Sequence, residues 1–133
     1  MKKKNILIIT TWFPNKHEKT KCIFVKNILE AQAKDMNFNF TVIVPKPYFP
    51  KILAKFISIK AQNYSDLNYY ENLKGYDIYR PNYLKLPFLG NFSKWFCMYF
   101  SIMKIIKKEN LIPKLIHSHG LFPDSYAAVK VSK

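Results

Sequence analysis

His117 and His119 stand two residues apart in "KLIHSHGLFPDSYAAVKVSK", Lys114 to Lys133, beside Gly120, one of three glycines in the chain. On a strand, residues i and i+2 point to the same face, so the pair could hold a transition metal if a third ligand came from elsewhere. That supply is thin: His17 is distant in sequence, Cys22 and Cys97 are not near the pair, and Asp124 is a single carboxylate. No metal site is expected. A second reading makes His117 a strand residue hydrogen-bonded in the interior, with His119 decorating a loop. A third gives His119 a substrate contact, because it lies just past a strand's carboxyl end, next to a glycine where backbone can approach a ligand closely. A histidine there can offer a donor or an acceptor near neutral pH.

The loop after the first apolar run, "TWFPNKHEKTK", is where a phosphate-binding turn usually sits in an α/β fold. It contains no glycine, so both the dinucleotide fingerprint and the Walker A pattern fail. Lys16, Lys19 and Lys21 could meet an anion as point charges, or simply be solvated. Lys and Arg outnumber Asp and Glu by 22 to 8, a formal charge of +14 that concentrates anions at the surface. Those anions could be nucleic acid, anionic lipid or phosphate-bearing metabolites. All but one of the positive residues are lysine, and the chain is rich in Asn and Ile, so coding bias explains part of the charge. Nucleic acid is not expected as a partner, since the aromatics fall in apolar runs and no RNP, KH or helix-turn-helix signature occurs. Two cysteines without CxxC spacing or a leader read as free thiols in a reducing cytoplasm.

These residues need elements to position them. "NILIIT" (5–10) is a continuous apolar run, the mark of a strand buried on both faces. From Lys21 the period becomes helical, with Phe24, Ile28, Leu29, Ala31, Ala33 and Met36 recurring. "FTVIVP" (40–45) is a second buried strand. "KPYFPKILAKFISIKAQ" follows with one short basic, apolar helix that puts Ile52, Phe56 and Ile59 on one side. "NYSDLNYYENLKGYDIYRP" reads as a long connection into a third strand, Tyr76 to Arg80. Pro87 and Gly90 punctuate a loop, Ser93 is the expected N-cap of "KWFCMYFSIMKIIKKEN", "KLIHS" is a fourth strand, and Pro123 with Asp124 opens a fourth helix.

On the third helix Lys94, Cys97, Ser101, Lys104 and Lys108 form one narrow polar stripe. That predicts a helix packed between the sheet and another element, or else one partly sunk in a bilayer interface. The alternation β-α-β-α-β-α-β-α predicts a doubly wound, Rossmann-like α/β domain over residues 1–133, with a parallel sheet and helices on both faces. Ligands in such folds bind outside the strands' carboxyl ends.

Four segments in order, "ILIITTWFPNKHEKTKCIFVKNILEAQAK", "TVIVPKP", "YDIYRPNYLKLP" and "LIHSHGLFPDSYAAVKVSK", resemble the N-terminal domain of family 4 glycosyltransferases, retaining enzymes of the GT-B architecture. The resemblance covers essentially all 133 residues. It implies transfer of a sugar, of the hexosyl type, from a nucleotide-sugar donor to a glycan or lipid-linked acceptor, with no metal or other cofactor. The family's histidine after the fourth strand falls on His119, which would contact the donor sugar, with Gly120 beside it. The family's first-helix start falls on Lys21, Cys22 and Phe24 as substrate-binding positions. Family members usually carry a glycine just before the Ile-Phe-Val start, where this chain has Cys22, whose side chain is expected to crowd a phosphate.

The resemblance also implies a second, nucleotide-binding domain beyond Lys133, so the chain is expected to be the front part of a longer protein and inactive alone. The expected setting is cytoplasmic, at the inner face of a membrane, in polysaccharide or glycolipid synthesis. The alternative is a non-catalytic basic module that docks on anionic membrane or on a separately encoded partner.

Overall fold

The computed structural model describes residues 4–34, 38–73, 75–84 and 90–133, with 90–92 described by backbone only. Five strands form one sheet: β1 (Lys4–Ile9), β2 (Phe38–Ile43), β4 (Tyr70–Leu73), β5 (Tyr76–Tyr79) and β7 (Leu115–Ser118), in the order β4-β5-β2-β1-β7. β1 is central and parallel to both neighbours, pairing Ile8 with Val42 on one side and with His117 on the other.

The central position explains why "ILII" (6–9) is apolar throughout. Ile8 joins Phe40, Val42 and Ile78 under Val25 and Leu29 of α1 (Ile23–Gln32) on one face. Leu7 and Ile9 join Ile43 under Ile102 and Ile105 of α4 (Gly90–Lys108) and Ala127 of α5 (Tyr126–Val131) on the other. Each fully buried Leu or Ile contributes about 1.5–3 kcal/mol of transfer free energy. Helices on both faces of a mostly parallel sheet make the Rossmann-like α/β fold expected from the alternation.

The local departures have physical causes. The long connection before the third strand contains β4, antiparallel to β5 at the sheet edge. "YENL" has no fully buried residue, Leu73 alone packing partly on the core, so no apolar alternation marks it. The single helix expected after Pro50 is two, α2 (Lys51–Ile57) and α3 (Ile59–Ser65), broken where Ser58 is extended. The Ser58 hydroxyl accepts the Ala61 N–H at 3.1 Å and so caps α3. Ser58→Ala should lower stability in urea unfolding by about 1 kcal/mol, the usual worth of such a cap.

α1 buries Val25 and Leu29, while Phe24, Ile28 and Ala31 of the expected apolar face are exposed, and Met36 lies outside the described residues. α4 starts at Gly90, so Ser93 is inside it and is not its N-cap, and Pro87 lies outside the described residues. The polar stripe of α4 is only in part its solvent face, Lys104 and Lys108 being exposed. Ser101 is buried, its hydroxyl donating to the Met98 carbonyl at 2.9 Å, while Phe96 and Phe100 are exposed. A serine that bonds back into its own helix leaves no unpaired hydroxyl and can be buried. α4 packs on the sheet through Ile102 and Ile105 and against α5, where the Trp95 and Tyr126 ring centroids are 4.6 Å apart, so it meets the sheet and another element as expected, with Phe96 and Phe100 on its uncovered side. Two short strands, β3 (Lys46–Pro47) and β6 (Asn82–Tyr83), form a separate parallel pair above the sheet's carboxyl edge. Among the described residues no helix is long and apolar enough to cross a membrane.

Candidate functional site

The loops at the carboxyl ends of β1 and β7 are bound to each other. The His119 N–H donates to the Ile9 carbonyl at 3.2 Å, continuing the β1–β7 ladder one step beyond the strand. From the other side, Thr11 donates its backbone N–H to Asp124 Oδ2 at 2.7 Å, and its hydroxyl lies 3.0 and 3.1 Å from the two carboxylate oxygens. Asp124 is only 3% exposed. Burial pushes its pKa up, against the Thr11 hydrogen bonds and the nearby Lys94 charge, which pull it down. Asp124 stands near the start of the helical segment, as expected from the sequence, but is buried rather than solvated. It sits in a wide turn, Leu121–Ser125, that precedes α5, and it clamps that turn to the loop after β1.

Gly120 has φ +103°, and a Cβ there would meet Asp124 Oδ2 at 3.4 Å. The Ser125 hydroxyl donates to the Gly120 carbonyl and lies 2.8 Å from the Ser118 hydroxyl. The glycine serves the turn's backbone, since its open side faces Asp124. His117 and His119 do share a face, as the strand period requires, with ring centroids 4.4 Å apart at 30°. His117 is exposed on the edge strand, so the interior reading of that residue fails. His119 is half-buried. Burial first, and then His117, lowers its pKa, which keeps the ring neutral at pH 7 with one donor and one acceptor nitrogen.

Next to this clamp a cavity of about 610 Å³ opens over the carboxyl ends of β1, β2 and β5. Its lining includes Thr11, Trp12, Lys21, Lys46, Tyr64, Arg80 and Lys94. Lys21 Nζ is 3.0 Å from Glu18 Oε2 and 3.4 Å from the Tyr64 hydroxyl. Burial acts to lower its pKa, but Glu18 and Tyr64 outweigh that and the net shift is upward, so it is a fixed cation. Another hollow, about 380 Å³ beside Asn5, Asn39 and Asp77, lies at the opposite, amino ends of the strands, away from where such folds bind ligands.

Cys22, at the N-cap of α1, has φ 46° and ψ 44° and makes no side-chain cap bond. This is the left-handed region that glycine occupies freely and that costs other residues about 1–2 kcal/mol. The backbone here is thus glycine-like, with a cysteine built on it. Phe24, the second residue of α1, is 56% exposed. Of the five residues singled out from the sequence, Lys21 lines the cavity. Cys22 is the N-cap of α1 and Phe24 is in its first turn, while His119 and Gly120 lie on the β7 turn, and none of the four is among the cavity's lining residues.

Sequence reasoning missed Thr11, Lys46 and Arg80, and read Asp124 only as a helix start. Their signals were faint: a carboxylate after a proline, a lysine between two prolines, and the arginine that ends the third strand. Both cysteines are free thiols. Among the described residues no three His, Cys, Asp or Glu side chains are grouped to hold a metal ion.

No family model and no solved structure matches the chain. It is 30% identical, over 135 aligned positions, to the Bacillus subtilis (strain 168) protein named "Putative teichuronic acid biosynthesis glycosyltransferase TuaC". The alignment takes in 96% of this chain and 33% of that protein, so the chain spans about one third of the length of the curated relative it matches. Over nearly all of its residues, then, this α/β domain is similar to part of a bacterial glycosyltransferase.

Proposed function

We propose that the chain is the acceptor-side domain of a retaining, family 4 type glycosyltransferase of GT-B architecture. The enzyme moves a hexosyl group from a nucleotide sugar to a polysaccharide or glycolipid acceptor. The observation that carries this reading is the likeness to a glycosyltransferase along 96% of the chain. The cavity at the strands' carboxyl ends agrees with it, being where an α/β domain offers a ligand site.

In this reading the domain forms one wall of a cleft, and a second Rossmann-like domain holds the nucleotide. The acceptor oxygen attacks the anomeric carbon on the face from which the diphosphate leaves, and the acceptor's proton passes to the departing phosphate. His119 contributes a neutral imidazole beside the donor sugar. The chain on its own holds half a cleft and turns nothing over. A chimera tests this: this chain replaces the matching residues of the Bacillus relative, and labelled nucleotide sugars are screened for transfer. Transfer by the chimera supports the reading; a folded chimera that transfers from none of the donors its parent uses overturns it.

A membrane-facing role for the same domain is favoured by α2 and the start of α3. Ile52, Phe56 and Ile59 are 79%, 85% and 76% exposed, with Lys51, Lys55 and Lys60 among them. An apolar cluster ringed by lysines matches an anionic bilayer surface. The chain should float with vesicles containing 30% anionic lipid, an arbitrary loading of about one lipid in three at which each lysine near the surface adds about 1 kcal/mol. Ile52→Ser with Phe56→Ser should leave it at the bottom. Flotation unchanged by that pair of substitutions excludes this patch as the docking surface.

A further inference from the structure

We infer that the cavity over the strand ends is built for an oxyanion, and that the acceptor it takes carries a carboxylate or phosphate group held by Lys46. This rests on the transferase reading above and names the chemistry of its acceptor. Lys46 is 6% exposed and lines the cavity. Its ammonium donates to the Tyr64 carbonyl at 2.7 Å and the Leu67 carbonyl at 3.0 Å, which aim it and leave one of three donors over.

Among the described residues no carboxylate lies within ion-pair distance of Lys46, Lys60 or Lys94, all three on the cavity wall. The other two cations of the wall are already matched, Lys21 by Glu18 at 3.0 Å and Arg80 by Glu71 at 2.6 Å. Lys46 is thus a buried cation and Lys94 a half-buried one with no carboxylate in direct contact, while Lys60 is exposed at the rim; Asp66, Asp124 and Glu18 act on the three only from further off. Buried charges are ordinarily paired, because an uncompensated one is costly to desolvate. Burial first, and then the Arg80, Lys51 and Lys16 charges, depress the Lys46 pKa against the opposing Asp66 carboxylate, whose counter-charge does not offset them. A bound oxyanion supplies that charge at the open donor of Lys46, and Lys60 and Lys94 close on it.

The bland alternative is that Lys46 only pins the end of α3 to β3. The two are separated by titrating the 133-residue chain, followed by amide NMR shifts, with inorganic phosphate, D-glucuronate and D-glucose at constant ionic strength. Phosphate or glucuronate should give saturable shifts at Lys46, Arg80 and Tyr83, and glucose none. Response to phosphate alone points to a phosphate-linked acceptor, to glucuronate alone to an acidic sugar, and to both to a general oxyanion site. Lys60→Gln with Lys94→Gln should weaken binding by about tenfold per lysine, since each 1.4 kcal/mol is a factor of ten.

Lys46→Met should abolish the shifts with the fold retained, and if it fails to fold the Lys60/Lys94 variants decide. No saturable shift with either anion, shifts confined to the loop lysines 16 and 19, or shifts unchanged in the Gln variants overturns the inference. Anion binding beside an inactive chimera would fail the transferase reading alone. An active chimera with no anion response would fail only the oxyanion site.

Discussion

Asp124→Ala is expected to cost about 2–3 kcal/mol of unfolding free energy at pH 7, the penalty for leaving buried polar groups without the charged partner they were built around. Two donors of Thr11 converge on that carboxylate across 113 residues of chain, at 2.7 Å and about 3.0 Å. Removing it orphans both and frees the β7 turn from the β1 loop. Asp124→Asn should cost less than half as much, because the amide oxygen still accepts the Thr11 N–H and the site penalises charge.

The pH dependence carries the sign of that penalty. Burial raises the carboxyl pKa above its ordinary 3.8, so between that value and the raised one the folded state binds more protons than the unfolded. The contribution of this group is fully present below about pH 3.8 and is lost as pH rises through the folded pKa. Urea midpoints of wild type and Asp124→Asn compared from pH 3.5 to 7 should therefore show wild type gaining on the variant toward low pH. A flat difference would mean that the Thr11 hydrogen bonds balance the burial, whereas an Asp124→Ala cost under about 0.5 kcal/mol, the range of ordinary surface substitutions, would mean that water replaces the carboxylate and no clamp exists.

Gly120→Ala should lose about 2 kcal/mol, because φ +103° with ψ 147° lies in a region that only glycine occupies without strain. The added Cβ also comes to 3.4 Å from Asp124 Oδ2, so the turn cannot relax toward the carboxylate. Gly75→Ala is the matched control. Gly75 has φ +97° and its Cβ would meet Ala33 Cβ at 3.3 Å, a comparable strain elsewhere in the fold. Both variants should be destabilised, but only Gly120→Ala should move the ring resonances of His119 and His117, whose stacking depends on that turn. Equal histidine shifts in both variants would show that Gly120 has no particular hold on the site.

The parallel strands and the helices between them were legible because burial on two faces leaves a mark in the sequence. "ILII" (6–9) and "VIV" (42–44) are apolar without a break, and α1 changes to a helical period at a definite residue. β4 and the break at Ser58 were not legible. An edge strand and two short exposed helices bury too little to impose a pattern, so their residue types follow local hydrogen bonding. α4 misled for the converse reason: Ser101 satisfies its own hydroxyl within the helix and can be buried, while Phe96 and Phe100 are left outside.

The histidines were visible by type and spacing, and the strand period alone places His117 and His119 on one face. What those rings belong to was decided in three dimensions. Thr11 reaches Asp124 only because β1 and β7 lie side by side in the sheet, a pairing between residues more than a hundred positions apart. Lys46 becomes a buried cation only because the carbonyls at the end of α3 fold back onto it. Sequence by itself determined the layers and the loops that end the strands, since these follow from hydrophobic period and turn residues. Which charges are cancelled in those loops and which are left open depends on contacts between distant segments, and only the tertiary structure decided that.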